Sequence, residues 1–311
     1  ALAAGLAVAL LALTAASPGR AAAAPEAAPA AAGVRWDRVA WLGGGGLAAH
    51  YVGFRYFDRA WYQGQKRDSI RWLHDWSGDT YLNLDKGGHF MGGLFLASSV
   101  TDAYAWAGLG PRAAALLGTL TSWGVLLEIE MRDAYYDQWG FSIPDFAANT
   151  AGAAIPLARA LFPACRAVSF KFSYWPSALY LDHAARQRAG RPSTRYAIDD
   201  YEGMTFWMTF GVGQLLATRG PNPWPPGLGL ALGYGATGMH GSNVKSRGPE
   251  REYPELPSAR PEVYLALDYD VRRLPGRSGW WEWLKEELNW LHLPAPAVRL
   301  YPDLRFYLLY L

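Results

Sequence analysis

The stretch from Asp85 to Gly152 carries three polar clusters inside otherwise apolar sequence, and it decides the fold of the first half of the chain. It opens with DKGGHF at residues 85–90, continues through LLEIEMRD at residues 126–133 and closes with GFSIPDFAANTAG at residues 140–152. Placing a charged group inside an apolar helix costs free energy unless the group is paired. The simplest arrangement that pairs these groups brings the three clusters together, so the sequence predicts one shared polar site.

Helix signals surround all three clusters. A helix is predicted over Leu84–Trp106, with Asp85 near its N-terminus, where a carboxylate meets unpaired amides. Pro111 suits the first turn of the next helix, which is predicted to run to about Tyr135. Ser142 is predicted to cap a further helix that reaches about Leu161, because Asp145 follows it at the capping-box spacing.

The region before these helices is rich in glycine and aromatic residues. Gly43–Gly46 is a four-glycine run within apolar sequence. Because glycine permits close approach between helices, we predict one apolar helix that is kinked or closely packed at this run. A short amphipathic helix is predicted over Arg67–Trp76.

The first cluster places Asp85 and His89 four residues apart, on one face of a helix. A carboxylate beside an imidazole orients the ring and raises its basicity, as in many catalytic and metal sites. The alternative is a histidine that only bonds between packed helices. Lys86 points elsewhere and is expected to form a salt bridge or to extend towards solvent.

In the second cluster, Glu128 follows a run of apolar and small residues and is predicted to lie deepest in the helix pattern. We therefore identify Glu128 as a general acid/base or ligand. Arg132, four residues on, can pair with it, while Glu130 and Asp133 fall on another face. The alternative is that these charges form a solvated helix end.

The third cluster places Asp145 and Asn149 four residues apart, and Gly152 continues near their face without a side chain to block a partner helix. The alternative is a capping aspartate and an asparagine bonded to a neighbouring helix. Three such clusters on consecutive apolar helices favour a shared network that includes Ser142.

The residue types limit the chemistry. One histidine and several carboxylates can hold Mg²⁺, Ca²⁺ or Mn²⁺, so a divalent metal stays open, although no cofactor is otherwise evident. The sequence contains no HExxH spacing, and Ser142 lacks a G-x-S-x-G context. The single Cys165 excludes an internal disulfide and a cysteine-based metal cluster.

The second half of the chain changes to strand-like segments separated by glycine and proline. Strands are predicted over the ranges Met204–Leu216, Gly227–Gly235, Glu262–Val271 and Ala297–Leu311. Lys171–Ser177 is interpreted as an aromatic connector, Asp182–Thr194 as a polar linker and Trp280–Leu291 as an amphipathic helix. Four strands are too few to close a membrane barrel, so a small antiparallel sheet is predicted.

The sequence therefore predicts an α+β protein. A helical bundle over residues 35–163 carries the polar motifs, and an aromatic-rich region over residues 164–311 holds the antiparallel strands and one amphipathic helix. Residues 1–24 have the pattern of a signal peptide and residues 25–34 that of a flexible leader. We therefore expect export to the periplasm or a membrane-associated place in the cell envelope. Since no cysteine follows the apolar run, we expect no lipoprotein anchor there.

The amino-acid composition limits the classes of partner that the protein is expected to bind. The net charge of +2 gives no electrostatic case for nucleic acid. The 15 Trp and 18 Tyr suit a boundary between water and an apolar phase, or else a large aromatic core. The charge-free run Ala113–Leu127 is shorter than the roughly 20 residues that span a bilayer. A buried bundle is favoured, and a bundle in or on a membrane is the alternative. A membrane or an amphiphile is the expected partner, and the sequence does not identify protein partners.

Taken in order, the three motifs resemble the YfiM-like family of predicted periplasmic lipoproteins, whose function is unknown. More distantly they are similar to the VanZ-like membrane proteins, which share the Asp-Lys-x-x-His opening and a later Asp-x-x-x-Asn-x-x-Gly. The resemblance covers Asp85–Gly152, and the segments at 172–177 and 233–236 look like longer members of the same family. It implies an envelope location and a helical bundle, and it supplies no activity.

Two functional hypotheses follow. In the first, the protein is a non-enzymatic envelope protein, and a network sets helix packing and lines a pocket for a lipid or other amphiphile. That network comprises Asp85, His89, Glu128, Asp145 and Asn149.

In the second hypothesis, the protein is a hydrolase or transferase acting on a lipid or cell-wall precursor. His89 is then the base, Glu128 or Asp145 is the acid or a metal ligand, and Lys86 or Arg132 holds an anionic group. An enzyme needs these groups to converge on an open cleft, whereas a packing network can be closed and fully paired.

Overall fold

The computed structural model describes residues 33–76, 81–191, 193–216, 224–239 and 259–311. The chain divides into two compact units. The first, which we name the helical unit, contains the chain up to His74 together with His89–Pro163 and Arg277–Trp283. The second, the sheet unit, contains Asp75–Gly88, Ala164–Gly276 and Leu284–Leu311. Helices and an antiparallel sheet together confirm the α+β class. The predicted signal peptide, and all but the last residues of the predicted leader, lie outside the described residues.

In the described part of the first half of the chain, four long helices follow one another. Their bounds are α1 Trp36–Ala60, α2 Leu84–Trp106, α3 Pro111–Asp133 and α4 Ile143–Leu161. Residues 84–88 of α2 belong to the sheet unit. The start signals are confirmed. Pro111 opens α3, and the Ser142 hydroxyl caps α4 by accepting a hydrogen bond from the Asp145 amide at 3.1 Å.

Glycines let α2, α3 and α4 approach one another closely. A Cβ added to Gly152 on α4 would lie 1.9 Å from the carbonyl oxygen of Phe90, and one added to Gly93 on α2 would lie 2.4 Å from that of Asn149. On α3, the fully buried Ser122 donates its hydroxyl to the Gly93 carbonyl at 2.9 Å. Small residues thus bring the helix backbones together, and this close packing carries polar side chains such as Glu130 and Asn149 inwards.

One prediction in this unit is wrong, and another holds only in part. Residues 67–76 form no helix. Instead β1, Trp72–Leu73, pairs in parallel with β2, Phe141–Ser142. The amides at positions 67 and 71 donate to carbonyls just beyond α3, so their hydrogen bonds are satisfied without a helix of their own. The four-glycine run does lie in α1, but Gly43, Gly44 and Gly46 face open space rather than a packed helix.

The sheet has six strands instead of the four predicted. They are β3 Val168–Tyr174, β4 Met204–Phe210, β5 Leu228–Thr237, β6 Arg260–Tyr269, β7 Ala295–Tyr301 and β8 Arg305–Tyr310. All neighbours are antiparallel, and the strands lie side by side in sequence order. The supposed connector at Lys171–Ser177 holds most of β3, and the last predicted strand turns back on itself to give β7 and β8.

The short helices explain the remaining differences in this half. The predicted linker Asp182–Thr194 contains α6, His183–Arg188, which follows α5, Ala178–Leu181. The predicted strand Met204–Leu216 ends at Phe210, and α7, Val212–Leu215, follows it. The amphipathic helix near Trp280 is confirmed as α8, Gly279–Leu288.

The sheet buries its polar face. From β3 to β6, buried residues alternate with more exposed ones, and the buried set includes Lys171, Ser173 and Asp268. Two ion pairs lie on this buried face: Lys171 with Asp268 at 2.9 Å and Arg299 with Glu262 at 2.6 Å. Apolar side chains share this buried face, where Trp207 and Tyr264 are each 1% exposed, whereas Leu232 and Leu265 lie on the more exposed side of the sheet.

Among the described residues, α3 is long and apolar enough to cross a membrane, judged by length and composition. Only 28% of its most apolar window is buried. A single helix of this kind is also found in the cores of water-soluble proteins, so it does not by itself choose between the buried and membrane-associated alternatives.

Candidate functional site: a buried histidine and carboxylate network

Glu130 is the centre of the polar network in the helical unit. Its side chain lies on the buried face of α3 and is 1% exposed. One carboxylate oxygen accepts a hydrogen bond from the side-chain amide of Asn149 at 3.0 Å, and the other accepts one from the backbone amide of Ser142 at 3.3 Å. Residues from α3 and from the start and first turns of α4 thus meet at one carboxylate.

His89, on α2, adds an imidazole to this network. Its Nδ1 lies 3.2 Å from the side-chain amide oxygen of Asn149 and 3.5 Å from a Glu130 oxygen, and its Nε2 lies 3.8 Å from an Asp145 oxygen. Both ring nitrogens therefore face oxygen acceptors, an arrangement that suits the protonated ring with its two N–H donors. The imidazole is 25% exposed, so it is the part of the network that solvent reaches most readily.

Burial changes the acidity of the network. Burial raises the pKa of Glu130 to about 8, and the charges of Asp145 and Asp133 act in the same direction against the opposing charge of His89. Burial likewise raises the pKa of Asp133 to about 6, with a hydrogen bond from Tyr62 opposing the shift. The network therefore holds a proton on Glu130 at neutral pH, where an ordinary glutamate is ionised.

The same side chains have the composition of a cation site. One ligand atom from each of His89, Glu130 and Asp145 lies within 4.8 Å of the others. One imidazole and two carboxylates suit a divalent ion such as Mn²⁺. Because the pKa of Glu130 is near 8, such an ion would have to displace a proton from this carboxyl group.

The structure gathers four of the predicted residues, and Glu128 is not among them. His89, Ser142, Asp145 and Asn149 all meet at Glu130. The sequence identified Glu128 as the deepest carboxylate of α3, and that prediction is wrong. Glu128 and Glu130 are two residues apart, which is roughly 200° around a helix.

Glu128 belongs to a separate surface cluster on the outer side of α3. Its carboxylate lies 2.8 Å from Nε2 of His50 on α1 and 3.0 Å from the guanidinium of Arg132, which also lies 3.3 Å from Asp58. All these side chains are at least a third exposed. The predicted pairing of Glu128 with Arg132 is therefore confirmed, but it is a surface ion pair.

Asp85 and Lys86 belong to the sheet unit. There the Lys86 ammonium lies 2.8 Å from Asp85 and 2.6 Å from Asp75, in the salt bridge that the sequence predicted for Lys86. Asp133 lies in the helical unit, at the end of α3, where its carboxylate meets the Tyr62 hydroxyl. The predicted site residues thus fall into three groups. His89, Ser142, Asp145 and Asn149 belong to the network, Glu128 and Arg132 to the surface cluster, and Asp85 and Lys86 to the salt bridge at the start of α2.

Sequence reasoning missed Glu130, although the sequence contains a signal for it. The buried side of α3 is a series with strict four-residue spacing: Ala114, Gly118, Ser122, Leu126 and Glu130. Small residues at this spacing mark the face that packs most closely against other helices. Continuing the series leads to Glu130, whereas the length of the preceding apolar run leads to Glu128.

A cavity of about 350 Å³ lies in the sheet unit at one end of the sheet. Its charged lining consists mainly of side chains that pair with one another. Lys171 lies 2.9 Å from Asp268, and Arg272 lies 2.7 Å from Asp270. Among the described residues, the lining holds four cationic side chains, Arg166, Lys171, Arg272 and Arg273, against the two carboxylates of Asp268 and Asp270, so the cavity wall carries a net positive charge.

Comparison with known proteins gives one match, which covers the network. Residues 72–160 match the family described as "Predicted periplasmic lipoprotein (DUF2279)". Neither the curated proteins nor the solved structures gave a match. The matched range contains His89, Glu130, Asp145 and Asn149, and the likeness to YfiM-like and VanZ-like proteins stays a prediction. The family's description confirms the predicted location: the protein is exported, to the periplasm or the cell envelope, and its residues 72–160 are similar to a family of predicted periplasmic lipoproteins.

Proposed function

We propose that this protein is a membrane-associated, non-catalytic envelope protein. The His89–Glu130–Asn149 network holds its helices together, and an outer apolar stripe on α3 contacts lipid or another amphiphile. One observation carries the proposal. The side of α3 that faces the neighbouring helices is small and polar, whereas Leu116, Leu120 and Trp123 on its other side are exposed. In water an amphipathic helix normally turns its large apolar residues inwards.

The state of the network supports a structural role for it. Glu130 and Asn149 are fully buried and bond to each other, and the Ser142 amide takes up the second oxygen of Glu130. A catalytic site has to present such groups to a substrate, and here only the edge of His89 is open to solvent. We therefore place the amphiphile on the outer stripe of α3 rather than in a pocket beside the network.

The outer stripe can be tested by vesicle flotation. We would compare the full chain with a variant carrying Leu116→Gln, Leu120→Gln and Trp123→Gln, using vesicles of phosphatidylethanolamine and phosphatidylglycerol. The variant should float with the vesicles far less than the wild type does. Its melting temperature should stay close to that of the wild type, because the three side chains are exposed. Equal flotation of the two proteins would refute the proposed lipid contact.

A second candidate is a hydrolase or transferase assisted by a divalent metal and acting on a lipid or cell-wall precursor. It is favoured by the grouping of His89, Glu130 and Asp145 ligand atoms within 4.8 Å. In this reading His89 and Asp145 keep the roles that the sequence suggested, and Glu130 replaces Glu128 as the buried acid.

Thermal unfolding separates the packing network from the metal-assisted enzyme. We would compare the wild type with His89→Ala, each with EDTA and with added Mn²⁺, Mg²⁺ or Ca²⁺. For a packing network, the variant should lose several degrees of melting temperature, and metal should change neither protein. For a metal site, metal should raise the melting temperature of the wild type alone. The second result would remove the non-catalytic proposal and justify a substrate screen.

A further inference from the structure

The cavity of the sheet unit lies where neighbouring strands bring small side chains together. The register pairs Ser169 of β3 with Thr209 of β4, and Gly229 of β5 with Asp268 of β6, and all four residues line the cavity. Larger side chains at Ser169 and Gly229 would occupy this space. The volume of about 350 Å³ is at the lower end of the range in which proteins hold small organic ligands.

Two of the cations in the lining are held by its two carboxylates. The Lys171 ammonium lies 2.9 Å from Asp268, and Arg272 donates two hydrogen bonds to Asp270, at 2.7 Å and 3.1 Å. Burial raises the pKa of Asp270, but the hydrogen bonds from Arg272 outweigh burial and hold this pKa below its ordinary value. Each carboxylate is therefore ionised and matched by one cation.

Arg166 and Arg273 supply the positive charge that remains. Both line the cavity and both are exposed, so they mark a side of the cavity that opens to water. The Nε of Arg273 lies 3.8 Å from the nearer Asp270 oxygen, which is longer than a hydrogen bond. Four cations against two carboxylates leave a surplus of two positive charges among the described lining residues.

Another part of the lining is apolar. Phe210, Trp224 and Leu228 contribute to it, together with Pro225 and Pro226. The Trp224 indole donates to the Leu228 carbonyl at 2.7 Å, and this bond fixes the ring beside the start of β5. A bare inorganic ion would leave this wall without a contact, whereas an organic group attached to an anion would cover it.

We propose that this cavity binds the phosphate monoester of a small organic molecule, with the phosphate at the mouth formed by Arg166 and Arg273. A phosphate monoester carries nearly two negative charges at neutral pH, which matches the surplus of the lining. A guanidinium group donates two parallel N–H bonds to phosphate oxygens. The organic part lies against Trp224 and Leu228. All lining residues belong to the sheet unit, so this site is independent of the lipid contact proposed for α3.

Calorimetric titration of the full chain tests the site with two probes, glycerol 3-phosphate and dihexanoyl phosphatidic acid. Arg166→Gln with Arg273→Gln should weaken binding by about tenfold or more, because two charge-assisted contacts are lost. Arg188→Gln with Arg191→Gln is the matched control. It removes the same charge from exposed positions of the same unit outside the cavity lining, and it should bind as the wild type does. Failure of both probes to bind the wild type, or an equal loss in the control, would overturn the proposal.

The two probes also separate the sources of the phosphate group. A soluble ester as the ligand predicts that glycerol 3-phosphate binds at least as tightly as the short-chain lipid. A lipid headgroup as the ligand predicts tighter binding of the lipid, and either result supports the site. Inorganic phosphate and succinate are the comparison ligands. Equal affinity for inorganic phosphate would remove the role of the apolar wall, and equal affinity for succinate would contradict a phosphate site.

A variant that fills the cavity tests where the ester lies. Ser169→Phe places a large side chain in the cavity without changing any charge, so it should weaken ester binding by about tenfold or more. Unchanged affinity would show that the ester lies on the exposed arginines outside the cavity, and the proposal would be wrong. The arginine variants still decide the matter if Ser169→Phe does not fold, because Arg166 and Arg273 are exposed. Flotation of the α3 variant and these titrations concern different units, so either proposal can fail alone.

Discussion

The helical unit and the sheet unit both keep polar side chains inside and leave apolar ones exposed, but they balance the buried charges differently. In the sheet unit two buried cations have carboxylate partners, Lys171 with Asp268 and Arg299 with Glu262, and the buried Lys285 donates to the backbone carbonyls of Leu274 and Gly276. In the helical unit three carboxylates, Glu130, Asp133 and Asp145, surround the single imidazole of His89.

This difference in charge balance predicts a difference in behaviour. A matched ion pair keeps its charges over the whole physiological pH range. A group of carboxylates around one imidazole takes up protons instead, and the raised pKa values of Glu130 and Asp133 reflect this. We therefore expect the sheet unit to be insensitive to pH near neutrality and the helical unit to respond to it.

Breaking an ion pair of the sheet should have the largest effect. Lys171→Met leaves the carboxylate of Asp268 buried without its ammonium partner, and such losses typically cost about 3–5 kcal/mol. Denaturant unfolding, monitored by circular dichroism, measures the change. The double variant Lys171→Met with Asp268→Leu removes both charges and should recover much of the loss. A single variant as stable as the wild type would show that the pair does not hold the sheet together.

The second-largest loss of stability is expected from a substitution that adds a side chain where α2 and α4 are in close contact. Gly152→Ala places a Cβ 1.9 Å from the Phe90 carbonyl oxygen, so α2 and α4 must move apart, at a cost of about 1–3 kcal/mol. Gly92→Ala is the matched control, since its Cβ meets nothing within 4 Å and alanine is the better helix former by about 1 kcal/mol. Opposite shifts in melting temperature are expected, and parallel shifts would contradict the close crossing.

Local signals along the chain predicted the helices well. Helix α2 has the predicted bounds, Pro111 opens α3, and Ser142 caps α4. Each of these features depends on backbone hydrogen bonds within a few residues, so the local sequence contains the information needed. The helix predicted over 67–76 failed because its backbone amides bond to residues beyond the end of α3, which are distant in sequence.

Neither the strand β3 nor the central carboxylate of the network could be predicted from the local sequence, because each depends on a partner elsewhere in the chain. In β3, Phe170 and Phe172 alternate with Ser169, Lys171 and Ser173, but the aromatic stretch that begins at Lys171 suggested a connector. Lys171 fits a buried strand only because Asp268 on β6 faces it. In the same way, Glu128 is on the surface side because His50 of α1 meets it there, which the sequence of α3 alone does not reveal.

The pH response of the helical unit is a smaller effect. The folded pKa of Glu130, about 8, lies above its ordinary value of 4.5, so the folded state binds more protons between these values. Its contribution to stability is present below about pH 4.5 and is lost as the pH rises through about 8. Asp133, whose pKa burial raises to about 6, titrates beside it. From the two pKa values of Glu130, the loss between pH 5 and pH 8 is at most about 3.5 kcal/mol, and Glu130→Gln should abolish it. An identical pH profile for both proteins would contradict a buried, protonated Glu130.

The smallest effect is expected two residues away, at the surface cluster. Glu128→Gln removes the charge that lies 2.8 Å from His50 and 3.0 Å from Arg132, but these side chains are at least a third exposed. Exposed ion pairs of this kind contribute about 0.2–1 kcal/mol, and salt weakens them. Unfolding at low and high salt should therefore show a small loss for Glu128→Gln that disappears at high salt. A loss that persists at high salt would mean that Glu128 supports the helical unit in its own right, and the sharp division between an outer and an inner face of α3 would then be wrong.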